Sequence, residues 1–322
     1  MSWSKLGQIY RPTGEAGWRN NSALTPTPLY LAEEKVIRIF AGFRDELGVS
    51  RIGFVDVEPD DPTTVLRVSE HPALDIGRPG MFDDNGLILG DLMWREGKLW
   101  LYYIGFQKVA KAKFLAFTGL AYSLDSGQNF QRFSETPIMD RSDNGLYIRA
   151  IHTIRKEYGR YRAWYAAGDG WEYLNGIPYP QYAIYCLESV DGLTFEKVGA
   201  LCLPADASCG EYRIGRPRVY KVDDGYIMLY TYGTVKGEYL AGMAVSRDGQ
   251  SWERRDHALG LAPSLEGWDS RHVIYPSLVV AGERRYVIYN GNHMGRDGFG
   301  CAVWQGGEFL SESFPAQSSA TK

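Results

Sequence analysis

The stretch Glu211–His257 reads EYRIGRPRVYKVDDGYIMLYTYGTVKGEYLAGMAVSRDGQSWERRDH. It contains three short apolar runs, each ended by a turn, and a fourth run that begins at Trp252. Asp223-Asp224-Gly225 is an Asp-Gly hairpin signal, and the mixed aromatic and aliphatic run YIMLYTYG is typical of a strand. The stretch therefore predicts a four-stranded antiparallel meander.

The same unit recurs along the whole chain. The second run of each unit ends at an aromatic residue, and these residues stand 63, 62, 65 and 59 positions apart. They are Phe40, Tyr103, Tyr165, Tyr230 and Tyr289. Units of this length cannot bury both of their faces alone, and radial packing of several units solves that problem.

The predicted fold is all-β, a five-bladed β-propeller with four-stranded antiparallel blades in one domain, 1–313. The blades are predicted near 22–70, 86–134, 146–199, 211–257 and 270–310. The last unit lacks a clear fourth strand, so the N-terminal segment 3–10 is predicted to supply it and close the ring. The polar end, 314–322, predicts a disordered tail. A two-sheet sandwich is the alternative, and the regular steps disfavour it.

Related turns close three of the third strands: SLDSGQNF from Ser123, SVDGLTF from Ser189 and SRDGQSW from Ser246. In each turn the aspartate can cap the backbone and the aromatic residue can pin the turn to the sheet. These turns are predicted to be structural.

Composition excludes several classes of partner. The net charge is −4 and the isoelectric point about 5.8, which predicts neither nucleic-acid nor membrane binding. No apolar run reaches the roughly 20 residues that span a bilayer, and the N-terminus lacks a signal-peptide core, so we expect a cytoplasmic protein. The oligomeric state stays open. The cysteines, predicted to be free thiols, are Cys186, Cys202, Cys209 and Cys301.

In a propeller the first strand of each blade lines the central channel, so the starts of the five first strands should meet at one mouth. Each start is polar. The candidates are Arg19 and Asn21 in the first blade; Asp83 and Asp84 in the second; Asp143, Tyr147, Arg149 and His152 in the third; Glu211, Arg213 and Arg216 in the fourth; and Trp268, Asp269, Arg271, His272 and Tyr275 in the fifth. Each residue alone is equally well explained by a turn or a solvated loop, whereas the whole set indicates a functional mouth.

Several of these stretches resemble the five-bladed propeller glycosidase superfamily, which includes glycoside hydrolase and phosphorylase families 43, 32 and 130. They include FDDNGLILGDLMWREGKLWLYYIGF from Phe82 and GWDSRHVIYPSLVV from Gly267. FRDELGVSRIGF from Phe43 is similar to a run in family 130. The resemblance covers nearly the whole chain and lies mainly in the blade pattern. The first-blade start, WRNNSA, has no acid where family 43 has one.

Glycoside cleavage needs an acid for the leaving oxygen and a base or nucleophile on the other face of the sugar. The predicted acid is Glu211, with Asp83 or Asp84 as base or nucleophile. Asp143 or Asp269 is predicted to tune the pKa of the acid, because neighbouring carboxylates resist joint ionisation.

The other candidates predict how a substrate is held. Arginines bind carboxylate or phosphate with two parallel hydrogen bonds, so the arginines predict an anionic sugar or sugar conjugate. The alternative, equally weighted, is that they pair with neighbouring aspartates and hold the ring together. Tyr147 and Trp268 are candidate sugar-stacking residues. His272 resembles a histidine near a central metal in family 43, which leaves Ca²⁺ or another metal open although no cofactor is required.

The resemblance therefore implies a glycoside hydrolase-like enzyme that uses carboxylate acid and base chemistry on an anionic saccharide. One alternative is a propeller that binds a carbohydrate or a protein without catalysis. Another is a sugar phosphorylase or glycosyl transferase on the same fold.

Overall fold

The computed structural model describes residues 3–223 and 225–306. Within these ranges the chain forms β-strands and three single-turn 3-10 helices, with no α-helix. The all-β prediction is confirmed. No helix of the described residues is long and apolar enough to cross a membrane.

The strands follow one another through short turns. They are β1 (Trp3–Tyr10); β2 (Ser22–Leu31), β3 (Val36–Arg44), β4 (Ser50–Val57) and β5 (Val65–Val68); β6 (Leu87–Arg95), β7 (Lys98–Gln107), β8 (Leu115–Ser123) and β9 (Gln131–Arg132); β10 (Ile148–Glu157), β11 (Arg160–Leu174), β12 (Ile177–Ser189) and β13 (Ala200–Leu203); β14 (Glu211–Val222), β15 (Gly225–Thr234), β16 (Tyr239–Ser246) and β17 (Glu253–Arg254); and β18 (Ile274–Ala281), β19 (Arg284–Asn290) and β20 (Phe299–Trp304). The 3-10 helices are Ala207–Cys209, Asp256–Ala258 and His293–Gly295.

Hydrogen bonding groups the strands into five antiparallel sets. Four sets follow the chain, β2–β5, β6–β9, β10–β13 and β14–β17. The fifth contains β18–β20 and β1, so the N-terminal strand pairs with the last set as the sequence predicts. Parallel contacts of β8 with β10 and of β12 with β14 join three sets, which gives sheets of four, twelve and four strands.

The first strands of the sets, β2, β6, β10, β14 and β18, contact one another in a closed circuit. Each touches the next along the chain, and β18 touches β2. Residues at the same level of these strands therefore lie around one axis.

The core lies between neighbouring sets. One apolar cluster joins Ile39 and Phe43 of β3 to Ile288 of β19. The next joins Phe40, on the other face of β3, to Leu101 of β7. Burying one side chain of this size stabilises the fold by about 1.5–3 kcal/mol, which explains why the aromatic position recurs in every unit.

The related turns are structural, as the sequence predicts. Asp191 accepts hydrogen bonds from the backbone N–H groups of Leu193 and Thr194, both at 2.8 Å, and from the Ser189 hydroxyl at 2.9 Å. The two backbone bonds lower the pKa of Asp191 to about 2. Asp248 occupies the same place in the next set.

All four cysteines are free thiols. The predicted tail, 314–322, the end of the last predicted blade after residue 306 and Asp224 of the hairpin signal lie outside the described residues.

Candidate functional site

A cavity of about 600 Å³ lies where the starts of the first strands meet. Residues of β2, β6, β10, β14 and β18 line it, together with residues near the turns between second and third strands. Its position agrees with the predicted mouth.

Each first strand carries an irregularity of register at the level of this cavity. The unpaired positions are Thr25-Pro26, Gly90, His152, Arg216-Pro217 and Tyr275-Pro276. A β-bulge re-aims the side chain that it carries, and Thr25, His152, Arg216 and Tyr275 all line the cavity. Thr25, Arg216 and Tyr275 have φ angles of 53°, 53° and 55°. Strained backbone of this kind is commonly kept at functional sites.

Arg216 ties the first strands together beneath the cavity. Its guanidinium donates to the carbonyl oxygens of Leu89 at 3.0 Å, Thr25 at 3.0 Å and Pro26 at 3.2 Å, and to the Thr27 hydroxyl at 3.0 Å. Burial, with Arg218 nearby, lowers the pKa of Arg216 to about 9. Because its Nη1 and Nη2 groups donate to protein oxygens, Arg216 acts as a structural clamp.

Arg213 lies in the wall of the same cavity and is only 8% exposed. Its Cζ atom stands 4.2 Å from the ring centroid of Tyr239 and 5.0 Å from that of Tyr212. Gly233 makes room for it, because a Cβ there would come within 2.7 Å of the Arg213 Nε. No hydrogen bond or ion pair joins the guanidinium to any residue of the described ranges, and its Nε is buried without a partner.

Three tyrosines beside Arg213 form a hydrogen-bonded chain, here called the phenol chain. The Tyr239 hydroxyl lies 3.1 Å from that of Tyr275 and 3.3 Å from that of Tyr182. All three line the cavity. Burial raises the pKa of each phenol, so all of them keep their protons at neutral pH.

His152 of β10 also lines the cavity and is 5% exposed. Burial first, and then the charges of Arg216 and Arg218, hold the pKa of His152 well below its usual 6.5. The imidazole is therefore neutral at pH 7.

The predicted base Asp83 is fully buried in its own set, away from the cavity lining. It accepts hydrogen bonds from the Tyr103 hydroxyl at 3.0 Å and from Arg132 at 2.8 Å. Gly105 lets it approach, because a Cβ there would come within 2.5 Å of the Asp83 Cβ. Tyr103 is the aromatic residue of the repeat, so the carboxylate holds a strand in place.

Asp269 is held in the same way in the last set. It accepts from the Tyr289 hydroxyl at 2.9 Å and from the Lys5 ammonium at 2.6 Å. Since Lys5 belongs to β1, this contact also secures the N-terminal strand to the last set.

The predicted acid Glu211 belongs to a third group of this kind. Arg254 donates to both of its oxygens at 2.8 Å, and the backbone N–H of Asp206 donates at 2.9 Å. Arg254 also binds Asp256, which accepts from the Tyr230 hydroxyl. We call these three groups, around Asp83, Asp269 and Glu211, the blade carboxylates. None of them lines the cavity.

The other predicted residues lie outside the cavity lining. Asp84 accepts from the backbone N–H of Gly80 in a turn, and Asp143 is exposed. Arg149 donates to backbone carbonyl oxygens at 2.9 and 2.8 Å.

The remaining predicted residues are held by near neighbours. Those outside the lining are Arg19, which binds Tyr10 and Glu15; Asn21, which binds the Asp45 carbonyl; Tyr147, which donates to the Gln181 carbonyl; Trp268, stacked on Tyr289; and the exposed Arg271. His272 is half-buried, and burial lowers its pKa. In the described ranges no three His, Cys, Asp or Glu side chains are grouped to hold a metal ion, and a metal at His272 stays a prediction.

Of the fifteen predicted substrate-binding and catalytic residues, the structure brings together four: His152, Arg213, Arg216 and Tyr275.

The cavity also contains residues that the sequence analysis did not single out. They are Arg44, Lys108, Lys113, Tyr179, Tyr182 and Tyr239, near the turns between second and third strands. Arg44 makes no ion pair with a described residue, and burial lowers its pKa. In the sequence, the basic and aromatic residues clustered in QKVAKAKF and IPYPQY could have indicated these cavity residues.

Comparison with known proteins supports the fold. No protein-family model matches the chain. The chain is 30% identical to the uncharacterized protein Rv1502 of Mycobacterium tuberculosis over 304 residues, which cover 94% of this chain and 99% of that protein.

Solved structures with this fold include glycoside hydrolases. One belongs to the GH130 family of mannoside phosphorylases, which contains glycoside hydrolases that target β-1,2 mannosidic linkages in Candida mannan. Its TM-score is 0.69 at 13% sequence identity, and the match covers 94% of this chain and 93% of that chain. A thermostable family-43 glycoside hydrolase has a TM-score of 0.66 at 17% identity and covers 88% of each chain. At these identities the likeness establishes the fold, and the resemblance to the propeller glycosidase superfamily is confirmed at that level.

Proposed function

The chain belongs to the family of the mycobacterial protein Rv1502, and we propose that it is a glycoside hydrolase-like enzyme acting on an anionic saccharide in its central cavity. In this proposal the five antiparallel sets are the five blades of a propeller. The fold shared with glycoside hydrolases supports a glycosyl bond as the bond acted on, and the basic cavity supports an anionic ligand.

One observation carries the proposal: the cavity contains basic and phenolic side chains and, among the described residues, no carboxylate. The basic residues are the buried Arg213 and Arg216, the half-buried Arg44 and the exposed Lys108 and Lys113. A buried positive charge without a counter-charge is costly, because it loses water and gains no partner. An anionic ligand supplies that partner.

The same lining limits the chemistry that we propose. Glu211, Asp83 and Asp269 are occupied by ion pairs within their sets, so we assign no carboxylate pair to the reaction. Glycosyl-bond cleavage, phosphorolysis and transfer all fit the fold, and phosphate as co-substrate would find cations in this cavity.

A non-catalytic saccharide-binding propeller is the second candidate. It is favoured because no carboxylate of the described residues lines the cavity, whereas glycoside cleavage ordinarily uses two.

The test is a panel of 4-nitrophenyl glycosides in matched pairs, each uronide beside its neutral parent sugar, with and without inorganic phosphate. We expect release of nitrophenol from an anionic member and little from its neutral partner. Phosphate-dependent release would identify a phosphorylase. Binding of the same sugars in calorimetry without any release would support the binding protein, and preference for the neutral partners would contradict the anionic substrate.

A further inference from the structure

Arg213 differs from the other two arginines of β14. Arg218 is neutralised by Asp91 at 2.7 Å, and both Nη groups of Arg216 donate to protein oxygens. Arg213 is 8% exposed, lines the cavity and donates to no described residue. A guanidinium has five N–H donors and stays charged at any physiological pH, so its full donor capacity is unused.

The aromatic rings around Arg213 fix its orientation without using its donors. Tyr239 and Tyr212 contact the guanidinium through their rings, at 4.2 and 5.0 Å from Cζ. Cation–π contacts stabilise the charge but accept no conventional hydrogen bond. The side chain is therefore pre-organised while its N–H groups remain available.

The phenol chain adds one more donor. Each phenol has one O–H hydrogen, and two hydrogen bonds link Tyr182, Tyr239 and Tyr275. Three hydrogens and two bonds leave one O–H for a ligand. Arg44, also without an ion pair to a described residue, contributes a second positive charge to the cavity.

We propose that Arg213 and the phenol chain form an oxyanion subsite, which holds the carboxylate or phosphate group of the saccharide. The inference rests on the proposed function in taking a saccharide as the ligand. The subsite offers donors and no acidic acceptor, so it selects a group that only accepts hydrogen bonds. A neutral hydroxyl in the same place would leave the guanidinium charge uncompensated.

The test is isothermal titration calorimetry of the full chain with D-glucuronate, D-glucose, glucose 6-phosphate and inorganic phosphate at pH 7 and low salt. We expect at least one oxyanion ligand to bind at least about 10-fold more tightly than glucose, since a charge-assisted hydrogen bond contributes that much. The Arg213→Gln variant should bind that ligand roughly 10- to 100-fold more weakly. Glucuronate and glucose 6-phosphate distinguish carboxylate from phosphate recognition.

Arg271→Gln is the matched control, because Arg271 is exposed at a neighbouring first-strand start and does not line the cavity. Its affinity should equal that of the wild type. Tyr275→Phe is the second variant, which keeps the ring and the Arg213 charge while shortening the phenol chain. The β-bulge directs Tyr275 to the cavity, so we assign the free O–H to Tyr275, with Tyr182 donating to Tyr239 and Tyr239 to Tyr275. Losing this O–H should weaken binding about 3- to 10-fold, as expected for one hydrogen bond.

The outcomes separate this inference from the proposed function. If an anionic sugar binds equally well to wild type and Arg213→Gln, the subsite is wrong and the function stands. If inorganic phosphate binds through Arg213 and no saccharide binds, the subsite stands and the function is wrong. If no oxyanion binds the wild-type chain, the subsite is wrong.

Discussion

Arginine side chains occupy two different environments in this molecule. Arg132, inside the second antiparallel set, binds Asp83, which also accepts a hydrogen bond from Tyr103. Arg254, inside the fourth set, binds both Glu211 and Asp256. Arg213, in the central cavity, binds no carboxylate of the described residues and is surrounded by aromatic rings. Both environments are largely buried, so the difference does not come from solvent.

We attribute this difference to two roles: Arg132 and Arg254 stabilise the fold, whereas Arg213 is available to bind a ligand. Breaking a buried ion pair by removing one partner is strongly destabilising, whereas an unpaired buried charge lowers stability while it is present. Proteins keep such charges where function requires them. The blade carboxylates and Arg213 should therefore respond to substitution with opposite signs.

The largest expected effect is at Asp83. The Asp83→Ala variant leaves Arg132 without its carboxylate and the buried Tyr103 hydroxyl without an acceptor. We expect a loss of about 3 kcal/mol in the free energy of unfolding, measured by urea denaturation. Asp143→Ala, at an exposed residue, is the control and should change stability by less than about 0.5 kcal/mol. A small effect at Asp83 would show that this carboxylate is not structural.

Next in size is the effect of removing single phenol groups. Tyr103→Phe deletes a hydrogen bond to a charged, buried carboxylate and should cost about 1.5 kcal/mol. Tyr275→Phe deletes a contact between neutral hydroxyls and should cost about 0.5 kcal/mol. Denaturation of both variants in parallel checks the order. Equal losses would mean that the phenol chain is as structural as the blade carboxylates.

Much of the fold could be predicted because the repeat reflects the core. Tyr103, Tyr230 and Tyr289 recur at similar steps because each fills the same place in its set and donates to a carboxylate. The N-terminal strand was also predictable, because the last unit needed a fourth strand to pair with β20. Because the same position is buried in each set, the same type of residue recurs at similar intervals in the sequence.

The site was harder to predict because polarity at a strand start does not show where a side chain points. Asp83 and Arg213 both lie near such starts, yet Asp83 packs over Gly105 inside its set and Arg213 faces the cavity. The β-bulges direct the side chains of Arg216 and Tyr275 to the cavity. A bulge of one extra residue is only weakly visible in the sequence, here as a residue followed by proline. Tyr182 and Tyr239 come from third strands, whereas the predicted mouth was built from the starts of first strands.

The pH dependence of stability tests the electrostatics of the cavity. The pKa of His152 lies well below 6.5 in the folded protein, so the unfolded chain binds the proton first. Stability from this group is therefore complete above pH 6.5 and is lost as the pH falls below it. We expect the wild type to lose about 1.4 kcal/mol more than His152→Gln between pH 7.5 and pH 5.5. Parallel curves for the two proteins would show that the pKa of His152 is not lowered in the folded protein.

The smallest effect, with the opposite sign, is expected at Arg213. The Arg213→Met variant removes a buried charge that pairs with no carboxylate in the described part of the chain, and it keeps an apolar side chain against Tyr239. The free energy of unfolding without ligand should stay unchanged or rise by up to about 1 kcal/mol.

Arg254→Met is the matched comparison for Arg213→Met in urea denaturation. It leaves Glu211 buried without its cation and should cost about 3 kcal/mol. If Arg213→Met instead destabilises the protein as much as Arg254→Met, Arg213 supports the fold. In that case the distinction between the antiparallel sets and the cavity fails, because both would use arginine for the same structural purpose.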